Sequence, residues 1–475
     1  MKVLYCTSEA KPFASTGGLA EVAGSLPQAL RLRLIGCRVV MPLYEDIPQD
    51  LRDGMKFLTS LSVPVAWRRQ YCGVFETHVG GTIYYLIDNQ YYFKRHGIYG
   101  HYDDAERFAF FSRAVLEMLP YIDFKPDILH ANDWQTALVP VYYSIFYANS
   151  DWFQGMKTIL TIHNIQYQGK YGEEILEDVL GLPKSTLPLI QFGDGINFLK
   201  GGIECANRVT TVSPTYAGEI LDPWYSYGLD GILKERKWKL SGILNGIDTA
   251  VYNPETDPDI YSDYSTEDAS KKRKNKTELQ KRLNLAVSEE TPLLGMVTRL
   301  VAQKGLDLVR SSIDNLLNST DCQFVILGSG DWEYENFFRE LQKRFPGRVC
   351  ACFGFVPELS HKIYAAADLF LMPSKSEPCG LAQMIALRYG TIPVVRETGG
   401  LRDSVTDSGD GEGNGFTFQN YDAGDLFHAV GRALEGYRNR EGWEILVQRA
   451  MHCDFSWGRS ANEYIRLYRS LLKEG

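Results

Sequence analysis

Twice along its length the chain runs through a short apolar stretch, a glycine-containing turn and then a helix-compatible segment. Residues 2–7 (Lys-Val-Leu-Tyr-Cys-Thr) lead past Gly17 and Gly18 into an apolar-periodic stretch from Leu19 to Leu34. Residues 293–298 (Leu-Leu-Gly-Met-Val-Thr) lead through Arg299 to Gly305 into a helical pattern ending at Leu317. Each is the strand–loop–helix opening of a doubly wound α/β domain. Further apolar runs alternate with helical patterns: Gly36–Met41, Thr82–Ile87, Ile128–Ala131, Thr158–Ile162 and Arg208–Val212, then Gln323–Leu327, Val349–Phe353, Leu369–Met372 and Ile392–Val395. Runs apolar on both faces suit parallel strands covered by helices. At 475 residues the chain exceeds one ordinary core, so two open parallel sheets in two domains are predicted.

Composition narrows the function classes. Apolar residues at 44% and charged residues at 23% exclude a largely disordered chain. A net charge of −9 argues against broad nucleic-acid binding and leaves room for a local site for one or two phosphates. Glu9 and Lys11 interrupt the first apolar run too early for a signal-peptide core. No stretch approaches the roughly 18 apolar residues of a membrane span. The nine cysteines are scattered without a CxxC pair, and Cys350 and Cys352 fall on one face of a buried strand. Reduced thiols in a cytoplasmic protein, with no nucleic-acid or membrane partner, are expected. The basic run Lys271–Lys274, beside Glu267, Asp268 and Glu278, reads as a solvated helix start. The inter-domain crossing is placed just before it, near residues 235–245, and a final helix over Asn462–Leu472 carries apolar residues at helical spacing.

In open α/β sheets ligands bind beyond the carboxyl ends of the strands, so the loops there matter most. Ser15-Thr16-Gly17-Gly18 follows the first strand: it is either an anion cradle of free backbone N–H groups or a pair of glycines closing a tight turn. Arg299 and Lys304 are two cations after the first strand of the second half, and a diphosphate between them would relieve their repulsion. Ser376-Glu377-Pro378-Cys379-Gly380-Leu381 follows another strand, with a turn able to present backbone N–H groups and a carboxylate suited to sugar hydroxyls or a developing oxocarbenium ion. The pair Thr398-Gly399-Gly400 lies in the next loop and can line the same site. In the first half, Asp133 would hydrogen-bond a sugar hydroxyl, Trp134 offers a stacking face, and His163 is either a donor-sugar ligand or a satisfied core histidine. No histidines have metal-ligand spacing, so no metal is expected.

Taken in order, these segments resemble the bacterial glycogen synthase and plant starch synthase family over nearly the whole chain. They are Thr7–Phe13, Gly17–Pro27, His130–Leu138, Thr161–Ile165, Thr211–Tyr216, Asn245–Asp248 with Asn253-Pro254, Arg299–Gly305, Glu377–Leu381 and Ala386–Gly390. The resemblance implies the GT-B fold, two Rossmann-like domains facing a central cleft. The expected division is 1–240, 241–455, and a C-terminal helix in 456–475 crossing back to the first domain. It implies metal-independent, retaining transfer of glucose from ADP-glucose to an α-1,4-glucan, with the donor as substrate and no cofactor. Arg299 and Lys304 would hold the diphosphate, and Glu377 would contact the donor sugar near its anomeric centre. Backbone amides at Gly17, Gly18, Gly380 and Leu381, beside Cys379, Thr398 and Gly399, would complete the anion site. His163 and Asp133 would line the glucose pocket, with Asn245 nearby. Two departures stand out: Ser15 occupies the place of the family's lysine, and Glu21 that of an aspartate. A third position, Ile385, lacks the glutamate of related GT-B families, as synthases of this family commonly do.

Overall fold

The computed structural model describes residues 1–474 and divides into two compact units, Met1–Gly246 with the C-terminal segment from Trp457, and Ile247–Ser456.

The first unit is built on a nine-stranded sheet and a small three-stranded one. Its strands are β1 (Lys2–Cys6), β2 (Gly36–Pro42), β3 (Lys56–Val65), β4 (Arg68–Val79), β5 (Thr82–Asp88), β6 (Ile128–Asn132), β7 (Lys157–Ile162), β8 (Lys170–Gly172), β9 (Gln191–Phe192), β10 (Gly195–Asn197), β11 (Arg208–Thr211) and β12 (Leu240–Gly242). The large sheet runs β12-β11-β7-β6-β1-β2-β5-β4-β3. It is parallel through β5, because its strands are apolar on both faces and covered by helices. The predicted sheet was parallel throughout. Instead β4 pairs antiparallel with β5 and β3 with β4, a hairpin whose polar, partly exposed residues gave no apolar run to detect.

The helix Gly18–Arg31 follows β1 and buries Leu19, Ala20, Val22, Ala23, Leu26 and Leu30. It stops at Arg31, short of the predicted Leu34, which takes a left-handed backbone and is 93% exposed. The final helix spans Trp457–Lys473 and packs on it, burying Tyr464, Ile465, Tyr468 and Leu471. Each such side chain contributes about 1.5–3 kcal/mol of apolar burial. Tyr468 OH also meets His130 Nδ1 at 2.8 Å, while His130 Nε2 meets Thr161 Oγ1 at 2.6 Å. His130 is thus a core histidine fixing the helix to β6.

The second unit holds β13 (Leu293–Val297), β14 (Gln323–Gly328), β15 (Val349–Phe353), β16 (Leu369–Met372), β17 (Ile392–Arg396) and β18 (Phe416–Phe418). All pair in parallel, in the order β15-β14-β13-β16-β17-β18. Counted from the unit's own first strand this is the doubly wound Rossmann order, whose direction reverses between β13 and β16. Cys350 and Cys352 lie on β15 as predicted, but on the edge strand and only half-buried.

The basic run is a helix start with Lys271, Arg273 and Lys274 exposed, as its solvated reading expects, and only Lys272 departs from it. The helix Lys272–Arg282 buries Lys272 and Lys276. Lys272 Nζ donates to the Tyr364 and Ala365 carbonyls and Thr391 Oγ1, and burial pulls its pKa down to about 7. Lys276 pairs with Asp368 at 2.7 Å. These lysines line a cavity of about 250 Å³ at the amino end of β13 and β16. Among the described residues no helix is long and apolar enough to cross a membrane.

Candidate active site

In the second unit the site residues gather where the strand order reverses. Beyond β13, Arg299 is exposed and has no ion-pair partner among the described residues. The chain then makes a helical turn, Ala302–Lys304, into Gly305. Gly305 has φ +73°, and a Cβ there would overlap the Pro373 carbonyl. Only glycine permits this close approach, which brings the β13 loop against the β16 loop. Across that contact Lys304 Nζ meets Glu377 Oε2 at 2.6 Å, and Ser374 Oγ donates to the same oxygen at 3.0 Å. Glu377 is 6% exposed. The anion next to Lys304 is therefore a carboxylate of the protein, while Arg299 stays available to a ligand.

The turn after Glu377 is locked from two sides. Gly400 N donates to the Glu377 and Pro378 carbonyls, both at 3.2 Å. At Gly399, φ +44°, a side chain would strike the Glu377 carbonyl. Thr398 precedes the helix Gly399–Ser404 and is fully buried. Cys379 is buried, Gly380 takes φ +70°, and Leu381 leads into the helix Ala382–Arg388. Gln383 Nε2 donates to the Cys379 and Gly380 carbonyls, leaving its buried Oε1 without a partner among the described residues. Sequence reasoning missed Gln383, whose only signal was its place one turn beyond the glycine. Phe355, 88% exposed in the loop after β15, lies at the same sheet end as Arg299 and was not singled out either. The run Phe353-Gly354-Phe355 was the available signal.

In the first unit the corresponding reversal lies between β1 and β6. Ser15, Thr16, Gly17 and Gly18 are exposed after β1. Neither glycine has a left-handed φ, and a Cβ on either would meet nothing within 4 Å. The turn does not demand glycine, so of the two readings the open backbone cradle is the one the local geometry favours. The buried Glu9 carboxylate accepts from Thr16 N and Thr16 Oγ1 and so holds the loop, while Lys11 pairs with Glu21 on the first helical turn.

Asp133 follows β6 with φ +55°, an uncommon backbone for a non-glycine residue. Its Oδ1 accepts from His163 N at 2.6 Å and more weakly from Asn164 N. Burial pushes the Asp133 carboxyl up to about 7, outweighing those two N–H groups, which lower it. Burial also lowers the His163 imidazole to about 3, so it is neutral at physiological pH. Asn132 Nδ2 donates to the Cys6 and His130 carbonyls, which turns Asn132 Oδ1 towards His163 Nε2 at 2.9 Å. That acceptor places the imidazole proton on Nε2 and leaves Nδ1 as a hydrogen-bond acceptor. Asn245 is buried, and its Oδ1 has no hydrogen-bond partner among the described residues. Trp134 does not offer the predicted stacking face: it is 8% exposed and packed edge-on against Phe108 at 5.2 Å.

Asp257, Asp259 and His361 also converge in the second unit. Asp257 is already engaged there by His361 Nδ1 at 2.7 Å, Asp259 N at 2.9 Å and the Tyr389 hydroxyl.

Residues 2–235 match the family described as starch synthase catalytic domain, and residues 277–445 that described as glycosyl transferases group 1. A glycogen synthase of Desulforamulus reducens is 49% identical over 479 residues, 100% of each chain. One of Geobacillus stearothermophilus is 50% identical over 478 residues, 100% of this chain and 98% of that one. The catalytic domain of starch synthase IV from Arabidopsis thaliana, bound to ADP and acarbose, matches with a TM-score of 0.91 at 38% identity over 99% of each chain. With identity near one half along its full length, and two doubly wound sheets carrying the site loops at their carboxyl ends, the chain belongs to the glycogen synthase family of GT-B glycosyltransferases.

Proposed function

We propose that the chain transfers glucose from ADP-glucose to the non-reducing 4-hydroxyl of an α-1,4-glucan, in the cytoplasm, with retention and without a metal or cofactor. The observation that carries this reading is Arg299, without an ion-pair partner among the described residues, beside the Lys304–Glu377 pair at the strand-order reversal of the second unit. It is supported by the 38% identical starch synthase domain bound to ADP and acarbose.

Arg299 clasps the diphosphate bidentately and Lys304 adds a point charge, so the negative charge that develops as the glycosidic C1–O bond breaks meets fixed cations. Phe355 supplies a ring face for the base. Glu377, held by Lys304 and Ser374, stands at the anomeric region. His163 Nδ1 accepts from a sugar hydroxyl, and Asp133 and Asn245 Oδ1 bind others. Asp133 has a raised pKa and one oxygen committed to backbone N–H groups, and Glu377 is committed to Lys304, so neither is a free nucleophile. The acceptor hydroxyl then attacks from the face the diphosphate leaves, passing its proton to the departing phosphate oxygen. Ser15, in place of a lysine, favours a second reading in which the donor nucleotide differs.

One assay tests both readings: purified protein and glycogen primer with radiolabelled ADP-glucose or UDP-glucose in parallel, with and without EDTA. Faster incorporation from ADP-glucose, unchanged by EDTA and released as maltose by β-amylase, is expected. Faster incorporation from UDP-glucose sinks the donor assignment, and none from either sinks the activity.

A further inference from the structure

Cys350 and Cys352 alternate on β15 so that both side chains lie on one face, with their Sγ atoms 3.7 Å apart. That face packs on the apolar cluster of Leu279, Leu327, Leu359 and Ile363, and both thiols stay half-buried. A disulfide needs the sulfurs at about 2.05 Å and the Cα atoms drawn to the near end of what a strand's alternate residues span. Within a central strand such a bend would break pairing on both sides. β15 is the sheet edge, hydrogen-bonded only to β14, so the bend disturbs one ladder. The two thiols share one hydrogen bond in which either can donate, and the Arg282 guanidinium acts on Cys352 alone, so Cys352 is the nucleophile of the pair.

We propose that Cys350 and Cys352 are a dithiol that a peroxide oxidises to an intrachain disulfide, and that this crosslink loosens the loop Gly354–Val356 that follows. Cys352 gives up its proton and the thiolate attacks the peroxide: an S–O bond forms, the O–O bond breaks, and the departing hydroxide takes up that proton and leaves as water, giving a sulfenic acid. The Cys350 sulfur then attacks Cys352, an S–S bond forms, the S–O bond breaks, and a second water leaves with the Cys350 proton. Two thiols and one hydrogen peroxide thus give one disulfide and two waters. A bond closed across alternate strand residues is strained, which makes it easy to reduce and the step reversible by a dithiol. The strain falls next to Gly354, whose N–H donates to the Gly328 carbonyl at 3.1 Å and whose φ is +112°. Twisting Phe353 away from Gly328 weakens that bond.

The test is peptide mass mapping and hydrogen exchange on the whole protein, neither of which measures turnover. After hydrogen peroxide, the peptide holding both cysteines should lose two hydrogen atoms and resist alkylation, and dithiothreitol should restore both thiols. The segment spanning Gly354–Val356 should exchange faster in the oxidised protein, and Cys352→Ser should abolish both changes. The proposal is overturned if both thiols stay alkylatable, if Cys352 stops at a sulfinic acid, or if the disulfide forms while exchange of the loop is unaltered.

Discussion

Lys304 Nζ sits 2.6 Å from Glu377 Oε2, joining loops that leave β13 and β16, adjacent strands of one sheet. The side chains are 16% and 8% exposed, so this ion pair is largely removed from water. Breaking such a pair strands a buried charge, which costs about 3–5 kcal/mol.

Lys304→Ala should therefore lower both stability and turnover, by roughly 3 kcal/mol in denaturant unfolding and about two orders of magnitude in kcat. Glu377→Gln keeps the shape and an acceptor for Ser374 but leaves the Lys304 ammonium without its counter-charge, so it should lose turnover and also about 3 kcal/mol of stability. Unfolding midpoints measured with initial rates separate the effects. A Lys304→Ala enzyme that unfolds early yet turns over normally would make the pair purely structural.

Arg299 supplies the contrast. It is exposed and without an ion-pair partner among the described residues, so Arg299→Ala should leave the unfolding midpoint within about 0.5 kcal/mol of the parent. The same change should cut kcat/KM for the donor about a hundredfold, because its charge is engaged only by ligand. Arg299→Lys should recover part of that loss, since it restores charge without the bidentate fork. An unaltered kcat/KM in Arg299→Ala removes the residue from the site.

Asp133 gives a pH signature of defined sign. Its carboxyl titrates near 7 when folded, against 3.8 for its ordinary value. The folded state therefore binds the proton more tightly, and this group's contribution to stability is present below pH 3.8 and is lost as pH rises towards 7. The loss approaches about 4 kcal/mol at pH 7. The buried His130 and His163 act oppositely, costing stability as pH falls below 6.5 because only the unfolded chain takes up their protons. Asp133→Asn isolates the carboxyl: asparagine tolerates the positive φ and still accepts from His163 N. Its stability relative to the parent should climb between pH 4 and 7. A pH-independent difference would mean that Asp133 is already ionised throughout.

Phe355 should act on binding alone. If its exposed ring carries the base, Phe355→Ala should raise the donor KM about tenfold with kcat nearly unchanged, and Phe355→Tyr should restore it. A fall in kcat without a change in KM would place the ring elsewhere in the cycle.

The parallel strands were legible in the sequence because burial on both faces writes an unbroken apolar run, as in Leu369–Met372. The β3–β4 hairpin has no such run, since it keeps polar residues partly exposed on its flank. At the candidate site, residue types at strand ends pointed to Arg299, Lys304 and Glu377, which the fold places in loops at one end of one sheet. Only the fold shows that Lys304 and Glu377, 73 positions apart, face each other. Trp134 misled for the converse reason: a ring in a polar loop motif looks like a platform, yet here the hydrophobic gain of packing against Phe108 and Phe198 holds it inside.

The departure at Ser15 is the most direct test of what the first glycine loop does. Ser15 is exposed, and the neighbouring backbone at Gly17 and Gly18 is open to solvent at the start of a fourteen-residue helix. Of the nearby cations, Lys11 is already turned to Glu21. Ser15→Lys adds a charge beside these amides without disturbing a buried contact, so stability should not move. If the loop binds the donor phosphate, its KM should fall a few-fold at low ionic strength. The gain should shrink as salt rises, since an exposed pair is worth about 0–1 kcal/mol and is screened over about 10 Å at 0.1 M. A salt-insensitive KM, equal to that of the parent, would show that the glycine loop lies apart from the phosphate and that the second unit alone holds it.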